Sequence, residues 1–308
     1  MSAKQERKHL ALMETTHLGS SPKVESLLDE TRNLKPVGVR SSFKHYLSEL
    51  WQRRHFIWRE SKNKVLHKTS ETFLGPLWLV LSPLLNAAFY WVIFGIVLGV
   101  SRGMENFVAF IIIGVLMFQF TSSVIGQGAR SITGAKSMIK AFAFPRAAIP
   151  ISLVVRETLS QLVIIVVMVT MILLIPPHVS VSVEWLALPA VLALQVILNL
   201  GIAFVFSRLG YRLPDFTQAV TFLVRVLMYG SGVIFPVTRF VDQDSWIMII
   251  VELNPIYVML EAYRSILMEN TLPEASTWLI LGGWALGLLL VGFMYFWNAE
   301  EDYARERE

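Results

Sequence analysis

The sequence predicts an all-α polytopic membrane protein, with six transmembrane helices, an amphipathic interfacial helix ahead of them, and a re-entrant helical pair between the fifth and sixth spans. Three observations predict it. Of 308 residues, 54% are hydrophobic and only 16% charged, against roughly 25% charged in soluble domains. The charges crowd at one end, with 14 Lys+Arg and 8 Asp+Glu in the first 74 positions. Beyond them, charge-free stretches of bilayer-crossing length recur, and the cations between them fall almost entirely on one side.

Residues 1–42 are polar without a sustained period, so a largely disordered cytoplasmic tail is expected. No apolar segment of signal-peptide type precedes Thr72. Over residues 43–71 the pattern changes. Phe43, Tyr46, Leu47, Leu50, Trp51, Ile57 and Trp58 recur at three- and four-residue steps, with Lys44, Arg53, Arg54, Arg59, Lys62 and Lys64 between them. A basic helix with Trp and Phe on its apolar face lies in the membrane interface, although a soluble helix packed on a partner carries the same pattern.

Residues 72–299 form the membrane domain. A bilayer core needs about 20 apolar residues per helix, and stretches free of Asp, Glu, Lys and Arg run from Thr72 to Ser101, Asn106 to Ala129, Thr158 to Val183, Trp185 to Ser207 and Ala275 to Ala299. Phe216 to Thr238 is a sixth, interrupted only by Arg225. The stretch Ser245 to Met268 is also apolar, but Glu252, Glu261, Arg264 and Pro255 interrupt it, and a charge at the centre of a span costs about 2.5–3.5 kcal/mol on insertion scales. Two short helices divided at Asn254-Pro255 and dipping into the outer leaflet are expected there, with Glu261 and Arg264 one helical step apart. An amphipathic pair lying flat on the surface is the alternative.

Orientation follows from the cations. One side holds 22 Lys+Arg, counting the first tail, the loop from Gly128 to Pro150, Arg208, Arg212, Arg305 and Arg307, and the other holds three, Arg102, Arg239 and Arg264. Both termini are therefore expected in the cytoplasm, residues 300–308 forming a second, acidic tail. The net charge of +4 and pI near 9.3 then reflect topology, and no nucleic-acid partner is implied.

Several functions are excluded by what is missing. No phosphate-binding loop exists, since Gly134-Ala135-Lys136-Ser137 lacks the spacing of G-x-x-x-x-G-K-[ST], so this chain binds no cofactor of its own and any ATP must be used by another subunit. Five of six histidines precede the spans and there is no cysteine, which leaves no metal site. No catalytic residue is assigned. An ion-coupled carrier places several ionisable groups at mid-depth, and here only Arg225 qualifies. The acidic loop between the last two spans keeps a membrane-embedded glycosyltransferase open as an alternative.

Five segments, in order, carry a resemblance. They are Leu74-Gly75-Pro76-Leu77-Trp78 with Pro83; Phe144-Pro145-Arg146 with Pro150; Tyr211-Arg212-Leu213-Pro214-Asp215; Tyr229 to Pro236, where Gly232 stands at a usual proline; and Leu253-Asn254-Pro255 with Glu261-Ala262-Tyr263-Arg264. From Phe43 to Trp297 the chain resembles the permeases of type-2 ABC exporters, particularly the Wzm-like permeases for lipid-linked polysaccharides and teichoic acids. The resemblance implies a homodimer in the plasma (inner) membrane of a bacterium, bound to two copies of a cytoplasmic ABC ATPase. It makes the interfacial helix and the Gly128–Pro150 loop candidate docking surfaces, with Lys136, Lys140, Phe144, Pro145 and Arg146 as coupling residues; the loop's cations also serve to fix topology. Aromatic side chains Trp78, Tyr90, Trp91, Phe222 and Tyr229 offer ring faces to a sliding glycan, or else are ordinary packing and interface anchors. The ending Trp297-x-Ala299-Glu300-Glu301-x-Tyr303-x-Arg305 is similar to actinobacterial galactan exporters, with teichoic acid and O-antigen-type glycans still open. So is a drug or small lipid as cargo.

Overall fold

The computed structural model describes residues 42–67, 75–97, 106–142, 144–213, 215–242 and 244–304, together with Gly99 and Met104. The expected tails at 1–41 and 305–308, and residues 68–74, lie outside the described residues. Among the described residues there is no strand. Helix α1 (Phe43–Gln52) is followed by α2 (Arg54–His67). The single interfacial helix expected over 43–71 is thus divided at Arg53, whose amide is shared between the carbonyls of Glu49 and Leu50, each at 3.1 Å. Its buried stripe nevertheless continues through the break as Tyr46, Leu50, Ile57 and Ser61. The Ser61 hydroxyl reaches the carbonyl of Ser152 at 2.9 Å, fixing α2 to the third long helix.

Helix α3 (Gly75–Tyr90) passes into a π-helical stretch, Trp91–Val97. Helix α4 (Phe107–Gly134) is N-capped by Asn106, whose side chain accepts from the Ala109 amide. The short α5 (Lys136–Ala141) leads to α6 (Ala148–Leu174). A 3-10 turn (Val183–Ala187) runs into α7 (Leu188–Arg212), and α8 (Phe216–Gly230) follows. Then come α9 (Trp246–Leu253), α10 (Pro255–Arg264) with its π-helical extension Ser265–Glu269, and α11 (Ala275–Trp297). The loop expected from Gly128 to Pro150 is shorter, because α4 runs on to Gly134 and α6 already begins at Ala148.

Among the described residues, four helical runs are long and apolar enough to cross a bilayer: Phe107–Gly134, Ala148–Leu174, Val183–Arg212 and Ala275–Trp297. The bent pair α9–α10, broken by 77°, brings the number to five if it is counted as one span. The stretches expected as first and fifth spans contain shorter apolar helices, Leu84–Val97 and Phe216–Gly230. The fifth is cut short at Gly230 because Gly232 adopts φ +63° in the following turn, a conformation closed to proline.

Helix α4 is the core of the bundle. It packs against α3, α6, α7, α8 and α10, and Ile111, Ile113, Leu116 and Met117 are wholly buried. Between helices in lipid the attraction is close packing and hydrogen bonding rather than exclusion of water. Accordingly a polar cluster pins the register half-way along α4. Gln195 of α7 donates to the Met117 carbonyl at 3.0 Å and the Thr121 hydroxyl at 3.2 Å, while accepting from the Tyr263 hydroxyl of α10 at 2.9 Å. Gln161 of α6 donates to the Leu116 carbonyl at 3.2 Å.

Near the start of α4, Arg264 is 3% exposed and lies over the Phe110 ring, 3.5 Å from its centroid. It donates to Glu261 at 2.9 Å and to the carbonyls of Gly232 and Val233 at 2.8 and 3.1 Å, so α10 holds the turn that ends α8. Gly114 makes room for this: a Cβ there would sit 2.2 Å from the Val233 carbonyl oxygen and 2.8 Å from the Arg264 guanidinium. Gly114→Ala is therefore expected to destabilise the protein by about 1–3 kcal/mol, as overpacking does. Thermal unfolding of the purified variant should show the lower midpoint, and an unchanged one would mean that the turn yields freely.

Candidate functional site

At the opposite end of the bundle, where α11 finishes, an aromatic cluster gathers α1, α7 and α11. Phe43 meets Trp297 edge-on at 5.2 Å, and Phe204 packs on Phe293 at 5.3 Å and on Phe296 at 5.5 Å. Just beyond α11, a 3-10 turn (Asp302–Ala304) brings Tyr303 onto Phe296 at 4.8 Å.

This apolar setting surrounds a buried charged clasp. The Tyr46 hydroxyl of α1 donates to Glu300 Oε2 at 2.8 Å and accepts from the Ala147 amide at 3.0 Å. The Arg146 amide donates to Glu300 Oε1 at 2.9 Å, and its guanidinium donates to the Glu300 carbonyl at 3.1 Å. Glu300 is 3% exposed. Burial pushes its carboxyl above the usual value, against the lowering pull of the Arg146 amide, the Tyr46 hydroxyl and the Arg146 guanidinium. Burial likewise raises the Tyr46 phenol, keeping it protonated and able to donate.

Of the residues expected to couple to an ATPase, Lys136 and Lys140 are exposed on α5, Phe144 is half-buried and Pro145 is buried. Arg146 belongs to the clasp, its side chain 12% exposed. Phe142, not singled out from the sequence, is 67% exposed beside these lysines; only its place in the basic loop pointed to it. Tyr46 and Glu300 were legible as an apolar-stripe residue and a tail motif, but nothing in their spacing joins them.

The aromatic conduit candidates lie at the bundle surface. Trp78, Trp91, Phe222 and Tyr229 are exposed, and Tyr90 is half-buried, its hydroxyl 3.5 Å from Met228 Sδ. Tyr90 lines a cleft of about 490 Å³ between α3, α4 and α8, which also takes in Arg130 and Arg225. A second cavity of about 270 Å³ between α2, α4 and α6 shares Gln127 and Arg130 and adds Glu60, Lys64 and Arg156. Phe222 and Tyr229 are on α8 but do not line the cleft.

At the α4 start, Pro255 opens α10 and Asn254 caps it, its Oδ1 accepting from the Ile256 amide at 3.0 Å. Its Nδ2 donates to Ser231 at 2.9 Å. Asn254, Pro255, Glu261 and Arg264 thus form one unit with the end of α8. Among the described residues no three His, Cys, Asp or Glu gather as metal ligands would.

Removing the Glu300 side chain leaves three donors without their acceptor, and breaking a buried pair costs about 3–5 kcal/mol. Glu300→Ala should lower the unfolding midpoint strongly, Tyr46→Phe more weakly. Because the carboxyl value is raised on folding, its contribution is complete below the ordinary value of 4.5 and is lost as pH rises through the raised one. Glu300→Gln, uncharged throughout, should flatten that decline in thermal scans from acid to neutral pH. Parallel curves for the two proteins would refute the assignment.

Comparison with known proteins places the chain. The family description "ABC-2 type transporter" matches residues 54–268. An O-antigen export system permease protein RfbA of Klebsiella pneumoniae is 31% identical over 209 residues, covering 68% of this chain and 78% of that protein. RfbA of Myxococcus xanthus is 23% identical over 258 residues, covering 83% and 96%. The polysialic acid transport protein KpsM of Escherichia coli is 23% identical over 231 residues, covering 74% and 87%. With more than half its length matched, and with the apolar helices, the bent α9–α10 pair and the basic α5 loop in place, the chain belongs to the ABC-2 type transporter family.

Proposed function

We propose that this chain is the permease subunit of an ABC exporter for a lipid-linked cell-surface polysaccharide, driven by a separate ATPase. The observation that carries the reading is that relatives named for O-antigen export and for polysialic acid transport match across two thirds or more of the chain. On this reading the bundle sits in the inner membrane of a bacterium with both termini in the cytoplasm. Helices α3 and α8 complete six spans, α8 being extended by the turn after Gly230, where Ser231, Val233 and Ile234 are buried in protein, an arrangement membranes tolerate. Two copies pair and bind two ATPase subunits.

The clasp gives the input a mechanical sense. It ties α1, the segment before α6 and the end of α11 to one carboxylate, so a push on α5 would move these elements together. Lys136, Lys140 and exposed Phe142 form the contact, with Phe144, Pro145 and Arg146 as its rigid support. Reversing both lysines to Glu should lower ATPase binding roughly tenfold while leaving membrane insertion intact. Undiminished binding and turnover would move the docking surface elsewhere.

The bent α9–α10 pair is taken as re-entrant, shaping the exit. Single cysteines from Trp246 to Leu260, labelled from outside with an impermeant thiol reagent, should show protection peaking near Asn254 and Pro255. Uniform fast labelling would mean that the pair lies flat.

Export itself is tested by depleting the chain in its host and by reconstituting it with the ATPase in vesicles. The expected result is lipid-linked glycan trapped inside on depletion, and ATP-dependent glycan translocation on reconstitution. Translocation of a drug or phospholipid instead, or ATP turnover by the chain alone, would overturn the reading.

A further inference from the structure

Two arginines of the apolar part of the chain form no ion pair with a described residue. Arg225 lies within α8, roughly 14 Å along the helix from Phe216 at the usual rise per residue. Arg130 lies in the last two turns of α4. Neither guanidinium makes a hydrogen bond, ion pair or ring contact with a described residue. Other arginines of the bundle are compensated: Arg264 by Glu261, Arg156 by Glu157 and Gln127, and Arg208 by the ring and carbonyl of Tyr295.

Both uncompensated cations line the same cleft of about 490 Å³ between α3, α4 and α8, and no acidic side chain is among its described lining residues. Its other polar walls are donors. Gln127 gives its side-chain carbonyl to Arg156, which leaves its amide hydrogens for another acceptor, and Ser123 and Thr221 add hydroxyls. The remaining walls include the apolar Val220, Val224 and Met228.

A cation at depth in a span is expensive, and such a residue marks a site whose partner must be named. Arg130 and Arg225 are both exposed at the cleft, and two like charges facing one opening repel unless an anion sits between them. The surrounding donors suit a group with several acceptor oxygens, and planar guanidinium forks match phosphate oxygens in pairs. The apolar walls suit a hydrocarbon chain attached to that group.

We propose that this cleft binds the phosphate linkage of a lipid-borne substrate, with Arg225 and Arg130 holding its oxygens and the lipid chain lying along Val224 and Met228. That the lipid carries a glycan rests on the export reading above. The phosphate site itself does not.

The test uses the full chain with its ATPase partner in nanodiscs, and three probes: farnesyl diphosphate, inorganic pyrophosphate and phosphatidylglycerol. Farnesyl diphosphate should bind, with affinity falling at least about tenfold in Arg225→Gln and in Arg130→Gln, the usual scale for hydrogen bonds to charged groups. Arg225→Lys, which keeps the charge but not the fork, should fall between wild type and Arg225→Gln. Pyrophosphate should bind at least about tenfold more weakly, losing the apolar contacts, and phosphatidylglycerol should not compete.

Wild-type affinity for farnesyl diphosphate in the double Gln variant would overturn the proposal. Equal binding of pyrophosphate would make this a free-phosphate site, and full competition by phosphatidylglycerol would make the arginines general lipid anchors; either overturns it. Retained ATPase binding certifies that a variant is folded, and Arg225→Lys decides the matter should the Gln variants fail that control. Glycan translocation by wild type, read in the same nanodisc-derived vesicles, separates failure of this site from failure of the export reading.

Discussion

Glu300 takes a hydrogen bond from a helix, another from a loop and a third from a guanidinium, and the organisation of the terminal end of the bundle depends on that convergence. A carboxylate removed from water is unfavourable unless paired and hydrogen-bonded, so Glu300 admits few arrangements of its surroundings. Tyr46 must point inward, the Arg146 amide must turn toward Glu300 and the Ala147 amide toward the Tyr46 hydroxyl, and the chain must double back after Trp297. The aromatic cluster around it supplies the dry setting that makes these bonds strong, and the same dryness makes them costly to leave unmade. This is why α1, which lies far from α11 in sequence, packs against its end.

At the other end, Arg264 plays a comparable part with the opposite charge. Its guanidinium takes two backbone carbonyls from the turn after α8, and Asn254 takes the Ser231 hydroxyl of the same turn. Non-helical backbone at such a place needs partners from within the protein, and a fork-shaped donor meets two carbonyls at once. The Gln195 cluster lies between these ends and joins α4, α7 and α10 by groups that would be orphaned by a shift of one turn. Fixing register by polar groups suits an interior in which apolar contact alone discriminates little between one neighbour and the next.

Much of the helical architecture was legible because charge-free length is a direct imprint of the bilayer on sequence. The four long helices and the break at Pro255 could be placed that way. Their ends could not: Arg130, read as a loop residue, lies within α4, and α6 begins at Ala148, well before the charge-free stretch that starts at Thr158. In α6 the helix includes a charge that finds partners, Arg156 in Glu157 and Gln127, and sequence periodicity carries no record of those partners. The site was legible in pieces for the same reason. Pro145, Arg146 and Glu300 were each marked by a motif, yet the pairing of Tyr46 with Glu300 spans most of the chain, and no local pattern encodes a contact of that range.

The contrast between α8 and its neighbours bears on motion. Most of α4 is buried by its neighbours, whereas on α8 only Val220 is buried and Phe222, Val226 and Tyr229 stand exposed. What holds α8 is concentrated beyond its last residue, where Arg264 and Asn254 grip the turn at Ser231, Gly232 and Val233. A helix anchored at one end and loosely packed along its flank can swing at low cost, because few contacts change while the anchor stays intact. The cleft bearing Arg130 and Arg225 lies along that loosely packed flank. On the export reading, a conduit wide enough for a glycan has to open somewhere, and opening between α8 and α4 would break fewer packed contacts than parting α4 from α7, where the Gln195 cluster would have to be taken apart.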